Sequence, residues 1–289
     1  MRVFGVYGMY CEKDLHREMM QAAFDYKGES DTMYQSMSVN PLSFSGAVES
    51  ANHEEFAGLH ILWPFQEYVT ELVDDSDFLV KTAFCANVLI CSGGMISAFN
   101  TIGPGMMNAL TKEKNYSVQG KKILLIGAGA AARTFASVFA RAGAAEIMMA
   151  NRTKERAVQN AADLSGKLNR EILACGWEDA ELPEYLQTAD LVVNCTFLGS
   201  WQAPAGEMPL PNLLDKLHAG QLVVDVTVNP AETPFLKKAA AQGADTLPGY
   251  LILLHEGAEA YKMWFNVQSA PVSFMRKALE EKVLNKTEK

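Results

Sequence analysis

The chain has no apolar stretch of membrane-spanning length, no internal repeat and no low-complexity segment, which excludes a helical membrane protein and a solenoid. It also lacks a basic balance. Its 25 Lys and Arg against 34 Asp and Glu leave a formal net charge of −9, which argues against a general nucleic-acid binder. Cysteine is sparse: five residues, an odd number without metal-ligand spacing. Neither a disulfide framework nor a metal centre is therefore expected, and the thiols read as reduced in a cytoplasmic protein. Cys85 and Cys91 read as packing residues, and Met1-Arg2-Val3-Phe4 is expected to open a strand rather than a signal peptide. At 289 residues, 49% of them hydrophobic, the chain is long for one core and predicts two domains. The expected partner is a small-molecule substrate, with no nucleic acid and no membrane, on a monomer or homodimer.

What the sequence does hold is concentrated in Lys121–Arg156. An apolar run, Ile123–Ile126, leads into Gly127-Ala128-Gly129-Ala130-Ala131-Ala132. A helical pattern follows, with Phe135, Val138, Phe139 and Ala142 on one face, and a second apolar run, Ile147–Ala150, ends in Asn151-Arg152-Thr153. This order predicts strand, glycine turn, helix and strand, the βαβ unit that holds a dinucleotide. Gly127 permits the turn, Gly129 lets the backbone approach the pyrophosphate, and Ala132 lets the helix pack close. The phosphates would sit on unpaired N–H groups at the helix N-terminus. Where an NAD-binding unit places an acidic residue, this chain has Arg152, with Thr153, Lys154 and Arg156 beside it, which suits a ribose 2′-phosphate. The predicted cofactor is NADP. A nucleotide-free crossover and a solvated basic helix start are the competing readings.

Ahead of this unit, strands are predicted at Val3–Tyr7, Thr32–Met37 and Leu59–Trp63. Helices are predicted after an Asp14 cap, over Pro41–Asn52, from Gln66 to Leu72 and over Phe78–Phe84. Asn87–Cys91 and Ser97–Asn100 flank the Ser92-Gly93-Gly94 turn as a hairpin, and Gly103-Pro104-Gly105 predicts a domain boundary. Beyond Arg156, strands are predicted at Glu171–Cys175, Leu191–Cys195, Leu222–Val226 and Asp245–Leu247. Helices are predicted at Thr233–Gln242, from Gly249 through Trp264, and over Val272–Leu284. The alternation gives an α/β fold class with a doubly wound parallel sheet.

Three later segments carry a family resemblance. Asn194-Cys195-Thr196-Phe197-Leu198-Gly199 is similar to an Asn-x-Thr-Pro-Leu-Gly loop, with Phe197 in place of Pro. Asp225-Val226-Thr227-Val228-Asn229-Pro230-Ala231-Glu232-Thr233-Pro234 matches Asp-x-x-x-Asn-Pro-x-x-Thr-Pro. Gly249, Gly257-Ala258-Glu259 and Trp264 match a closing helix. With the glycine turn, these make the chain resemble the shikimate/quinate dehydrogenase family along nearly its whole length. The resemblance implies an α/β substrate-binding domain from residues 1–105 and 250–289, and an NADP-binding Rossmann domain over 106–249. It implies that Gly127, Gly129, Ala130, Ala131, Ala132, Asn151, Arg152, Thr153, Arg156, Thr196, Val226 and Gly249 meet the cofactor.

On the substrate side the pattern is rewritten. Where the family carries Ser-x-Ser, whose hydroxyls hold the substrate carboxylate, this chain has Asp14 and His16. Asn-Val-Thr-x-Pro-x-Lys becomes His60-Ile61-Leu62-Trp63-Pro64-Phe65-Gln66, and Asn-Thr-Asp becomes Asn100-Thr101-Ile102. Val228 replaces a common Tyr, Glu256 replaces a Gln, and Asn87 is retained. Asp14, His16, Leu62, Gln66, Asn87, Ile102, Val228 and Glu256 are thus the implied substrate positions. The family's Lys–Asp proton-transfer pair falls on Gln66 and Ile102, neither of which titrates near neutrality. The catalytic residue is therefore unknown, with His16 the candidate because imidazole titrates near neutral pH. Plainer readings stand beside these: Asp14 as a helix cap only, His16 as an exposed helix residue, His60 as a hydrogen-bonded interior residue. The expected function is NADP-dependent hydride transfer to or from a small hydroxylated substrate other than shikimate. The alternatives are a non-catalytic NADP-binding sensor or partner protein and a shikimate dehydrogenase with relocated residues.

Overall fold

The computed structural model describes residues 2–28, 31–53 and 56–284. They divide into two compact units, Met1–Gly105 with Leu253–Lys286, and Met106–Ile252.

The first unit runs β1 (Arg2–Gly8), α1 (His16–Lys27), β2 (Thr32–Ser38), α2 (Phe44–His53), β3 (Phe56–Ile61), α3 (Phe65–Tyr68), β4 (Asp75–Ser76), α4 (Phe78–Ala83), β5 (Val88–Ser92) and β6 (Met95–Phe99). Its six strands lie in the order β2-β1-β3-β5-β6-β4. Parallel pairing of β1 with β2 and β3 requires crossovers, and α1 and α2 supply them. The β5–β6 hairpin then adds antiparallel strands. Period-two apolar residues commit the sheet to a core: Leu59 and Ile61 of β3 and Leu89 of β5 pack with Phe44 and Phe65, whose rings stack at 4.1 Å. A second aromatic group joins Phe4, Phe24, Trp264 and Phe265. Gly58 is obligatory for that group, because a Cβ there would overlap the Trp264 indole, which donates its N–H to the Leu89 carbonyl at 3.1 Å.

Three helices differ from the sequence reading. Asp14 is not the cap of α1: Leu15 holds that position, and Asp14 instead accepts the His16 N–H at 3.0 Å. α2 begins at Phe44 rather than Pro41, because Asn40 Oδ1 accepts from the N–H groups of Leu42 and Ser43 and closes a turn there. The helix read from Gln66 to Leu72 is one α turn followed by a 3-10 turn over Val69–Glu71.

The division between the two units falls after Gly105, at the predicted Gly103-Pro104-Gly105 boundary, and the segment itself is helical. It lies in the first turn of α5 (Ile102–Lys114), where a proline costs no intrahelical bond. The chain continues as β7 (Lys122–Ile126), α6 (Ala130–Arg141), β8 (Glu146–Asn151), α7 (Lys154–Leu168), β9 (Leu173–Gly176), α8 (Leu182–Thr188), β10 (Leu191–Asn194), β11 (Leu222–Asp225), α9 (Pro234–Ala241) and β12 (Asp245–Pro248). α10 (Gly249–Phe265) and α11 (Val272–Val283) complete it. The second sheet, β12-β11-β10-β7-β8-β9, is parallel throughout. β10 and β11 are buried at every residue, as strands covered on both faces must be. Strand order reverses between β7 and β10, the point at which such sheets bind ligands. Among the described residues no helix is long and apolar enough to cross a membrane.

Candidate functional site

In the second unit the switch point is built from the end of β7. Gly127 has φ +117°, a conformation open to glycine, and a Cβ there would sit 3.3 Å from the Cys195 carbonyl. Its N–H donates to the Ala150 carbonyl at 2.7 Å, so the turn is tied to β8. Gly129 precedes α6 with no side-chain cap, and no heavy atom lies within 4 Å of where its Cβ would point. The unpaired N–H groups of Ala130, Ala131 and Ala132 open α6, and this end can receive an anion. Asn160 of α7 donates to the Ala128 carbonyl at 2.7 Å and braces the turn. Sequence reading missed it, because nothing local marks a side chain on the next helix.

At the tip of β8, Asn151 donates to the Thr153 carbonyl at 2.9 Å. Arg152, Thr153 and Arg156 are exposed. Lys154 is already committed to Asp179 at 2.7 Å, while Arg152 has no ion-pair partner among the described residues. Thr196 and Val226 follow β10 and β11, and Gly249 starts α10. The two loops are joined by a buried carboxylate. Asp225 accepts from Asn194 at 3.1 Å, the Thr227 N–H at 2.9 Å and the Thr233 hydroxyl at 2.7 Å. Asn194 Oδ1 in turn accepts the Thr196 N–H and hydroxyl at 2.9 and 2.7 Å. Burial pushes the Asp225 carboxyl up from its ordinary value, and these hydrogen bonds oppose that rise.

In the first unit four predicted residues meet. His16, at the first turn of α1, holds Asp14 Oδ1 at 2.6 Å through Nδ1 and faces Glu256 Oε1 at 3.4 Å through Nε2. Asn87 donates to the same Glu256 oxygen at 2.8 Å, and its amide is fixed by Thr101 in both directions, at 2.9 and 2.7 Å. The side chains of His16, Asp14 and Glu256 are 4%, 5% and 12% exposed, so the group is nearly dry. Two unpredicted partners complete it: His60, with its ring 4.3 Å from that of His16, and Tyr34, whose hydroxyl lies 2.7 Å from His60 Nδ1. His60 is an interior residue, as its plainer reading held, but its Nε2 has no hydrogen-bond partner.

None of the remaining predicted positions is hydrogen-bonded to this group among the described residues. Gln66 turns its amide back to the Ile61 carbonyl at 3.1 Å. Leu62 donates its N–H to the Tyr7 carbonyl. Ile102 is 9% exposed at the start of α5, and Val228 lies in the second unit, half-buried.

Near-neutral titration of His16 is not what the geometry gives. Burial works against its charge, but the Asp14 carboxylate, by charge and hydrogen bond, and then Glu256 raise it from 6.5 to about 10. At neutral pH it is an imidazolium between two carboxylates. Folding therefore favours the protonated form: the stabilisation is complete below 6.5, declines as pH rises, and is gone above about 10. Across that window the decline is roughly 1.4 kcal/mol per pH unit. Urea denaturation in the presence of a chelator, followed from pH 6 upward, is expected to show this fall in the parent and a flatter profile in Asp14→Asn. Parallel profiles would remove Asp14 as the cause.

The sequence model of the Shikimate / quinate 5-dehydrogenase family matches residues 109–233. A shikimate dehydrogenase (NADP(+)) of Methanosarcina acetivorans is 36% identical over 287 residues, covering 97% of this chain and 98% of that protein. A crystal structure of a shikimate dehydrogenase in complex with NADP+ matches with a TM-score of 0.89 at 28% identity, covering 98% of this chain and 96% of that one. The ligand-free 5-ketofructose reductase of Gluconobacter sp. strain CHM43 matches with a TM-score of 0.83 at 27% identity, covering 97% of this chain and 98% of that one.

Proposed function

Because this chain belongs to the shikimate/quinate 5-dehydrogenase family, we propose that it is an NADP-dependent oxidoreductase acting on a small hydroxylated substrate other than shikimate. The cofactor half of the reading rests on residues that fit the group. The Gly127 turn and the α6 N-terminus take the pyrophosphate, and Arg152, with Thr153 and Arg156, takes the 2′-phosphate. Thr196, Val226 and Gly249 are the further positions that the family resemblance assigns to the cofactor. Bound NADP supplies the hydride acceptor. What the chain's own residues must add is substrate orientation and a route for the hydroxyl proton.

The observation that carries the substrate half is the Asp14–His16–Glu256 group. One imidazolium between two carboxylates leaves a net negative charge where the resemblance places hydroxyls for a substrate carboxylate. Two like charges about 4 Å apart near a protein surface repel by about 4 kcal/mol. A substrate whose hydroxyls or amine face this group avoids that penalty. The 5-ketofructose reductase among the structural relatives is named for a keto sugar, a substrate with no carboxylate. This supports reduction or oxidation of uncharged polyols on the same fold.

The purified protein, saturated with NADP+, is to be assayed for NADPH formation with shikimate, polyols, amino-alcohols and imino acids. Turnover is expected with a carboxylate-free compound and slower turnover with shikimate. Shikimate as the fastest substrate would overturn the altered-substrate reading. NADP binding with no turnover of any compound would leave a non-catalytic NADP-binding protein.

A further inference from the structure

We propose that His16, His60 and Glu256 form a binding site for a divalent first-row transition-metal ion, with zinc as the reference ion. They come from three separate elements, α1, β3 and α10. One donor atom from each lies within 4.8 Å of the other two. The 3.4 Å between His16 Nε2 and Glu256 Oε1 is also the separation of two ligands each about 2.1 Å from a tetrahedral ion.

The surroundings have the form of a ligand shell. Histidine ligands direct their second nitrogen to a carboxylate or another fixed polar group, which sets the ring orientation. His16 Nδ1 is held by Asp14 at 2.6 Å, and His60 Nδ1 lies 2.7 Å from the Tyr34 hydroxyl. Glu256 is held by Asn87 at 2.8 Å. The two histidines are thus braced on the side away from the shared space, while Asn87 holds Glu256 through Oε1, the oxygen that also faces His16.

His60 Nε2 distinguishes this reading from a simple proton network. An imidazolium at His16, shared between Asp14 and Glu256, satisfies His16 completely. It leaves His60 Nε2 orphaned in a residue only 1% exposed, and an unsatisfied buried polar atom is costly. With Nδ1 engaged by Tyr34, Nε2 is the nitrogen left for a ligand, and a metal ion accounts for it. Binding the ion displaces the His16 Nε2 proton, and Asp14 and Glu256 then balance the ion's charge, so the net negative charge that opposes a substrate carboxylate is that of the ion-free group. Sequence spacing gives no sign of the site, since His16 and Glu256 are 240 residues apart. Two histidines and one carboxylate also leave coordination positions open to a substrate hydroxyl or carbonyl oxygen. That last step rests on the proposed reaction, whereas the ion site does not.

The test is calorimetric titration of zinc chloride into the whole protein after chelator treatment, with cobalt(II) as a visible-absorption probe. One equivalent of zinc is expected to bind. Glu256→Gln, which keeps the size of the side chain and an acceptor for Asn87, and His60→Ala are each expected to weaken binding about 100-fold or more. Tyr34→Phe, acting through His60, should cost about 10- to 100-fold. His218→Ala, an exposed histidine of the second unit, should change nothing. Absence of zinc binding by the parent, or binding that survives both Glu256→Gln and His60→Ala, would overturn the site. Zinc binding by a protein that turns over no substrate would keep the site and remove the proposed reaction.

Discussion

Replacing Gln66 with lysine and Ile102 with aspartate together is expected to raise kcat for shikimate oxidation by roughly 100- to 10,000-fold, the contribution of a positioned proton-transfer group. Oxidising the alcohol requires its proton to leave as hydride moves to the cofactor. At position 66 the chain has an amide without a titratable proton near neutrality, turned to the Ile61 carbonyl at 3.1 Å. Position 102 holds a buried hydrocarbon at the start of α5. Each single variant should gain little, because a lysine without its aspartate lacks the partner that orients it. A lone aspartate at 102 would be a buried, unpaired charge. KM for shikimate should stay high in the double variant, since Asp14 and Glu256 still oppose a carboxylate. A double variant with the kcat of the parent would show that the missing pair is not what limits shikimate oxidation.

The second large effect concerns cofactor choice. NADP(H) is expected to bind at least about tenfold more tightly than NAD(H), a ratio that needs only about 1.4 kcal/mol. A guanidinium can give the 2′-phosphate two hydrogen bonds, each contributing roughly 1.5–3 kcal/mol when charge-assisted. Arg152 is exposed at the tip of β8 and has no ion-pair partner among the described residues, whereas Lys154 is held by Asp179. Arg152→Ala should therefore weaken NADP and leave NAD nearly unchanged, and Lys154→Ala should do less. Raising salt should weaken NADP more than NAD. Equal affinities for the two cofactors in calorimetric titration of the parent would reduce Arg152 to a surface charge.

What was readable in advance was local. The run of β7, the glycine turn, α6 and β8 lie consecutively, so strand length, helical periodicity and turn residues each appear within one window. Buried parallel strands such as β10 and β11 stand out as short apolar runs for the same reason. The helix starts were misread because a polar side chain can close a turn before a helix as readily as it caps one, as Asp14 and Asn40 do. The protonation of His16 was readable only in part. Its value depends on burial and on Asp14, two residues away, and then on Glu256, contributed by a helix near the other end of the chain. Tyr34 and His60 carried no pattern beyond that of ordinary strand residues. Thr233 was legible as part of the family match and as the start of the Thr233–Gln242 helix, yet its role as the cap of α9 and its bond to Asp225 appear only when β11 and α9 are seen together.

The contact between Gly58 and Trp264 sets an order on the changes this protein can accept by mutation. While the indole is in place, every side chain at position 58 meets it, so position 58 is closed to single substitutions. A smaller residue at 264 must come first. That step is not neutral, because the same indole lies edge-on to the His60 ring at 4.7 Å and donates to the Leu89 carbonyl. Drift at an unremarkable strand glycine is thus gated by a residue that also steadies the histidine beside His16. Lineages descending from this chain would keep Gly58 as long as they keep His60 where it is.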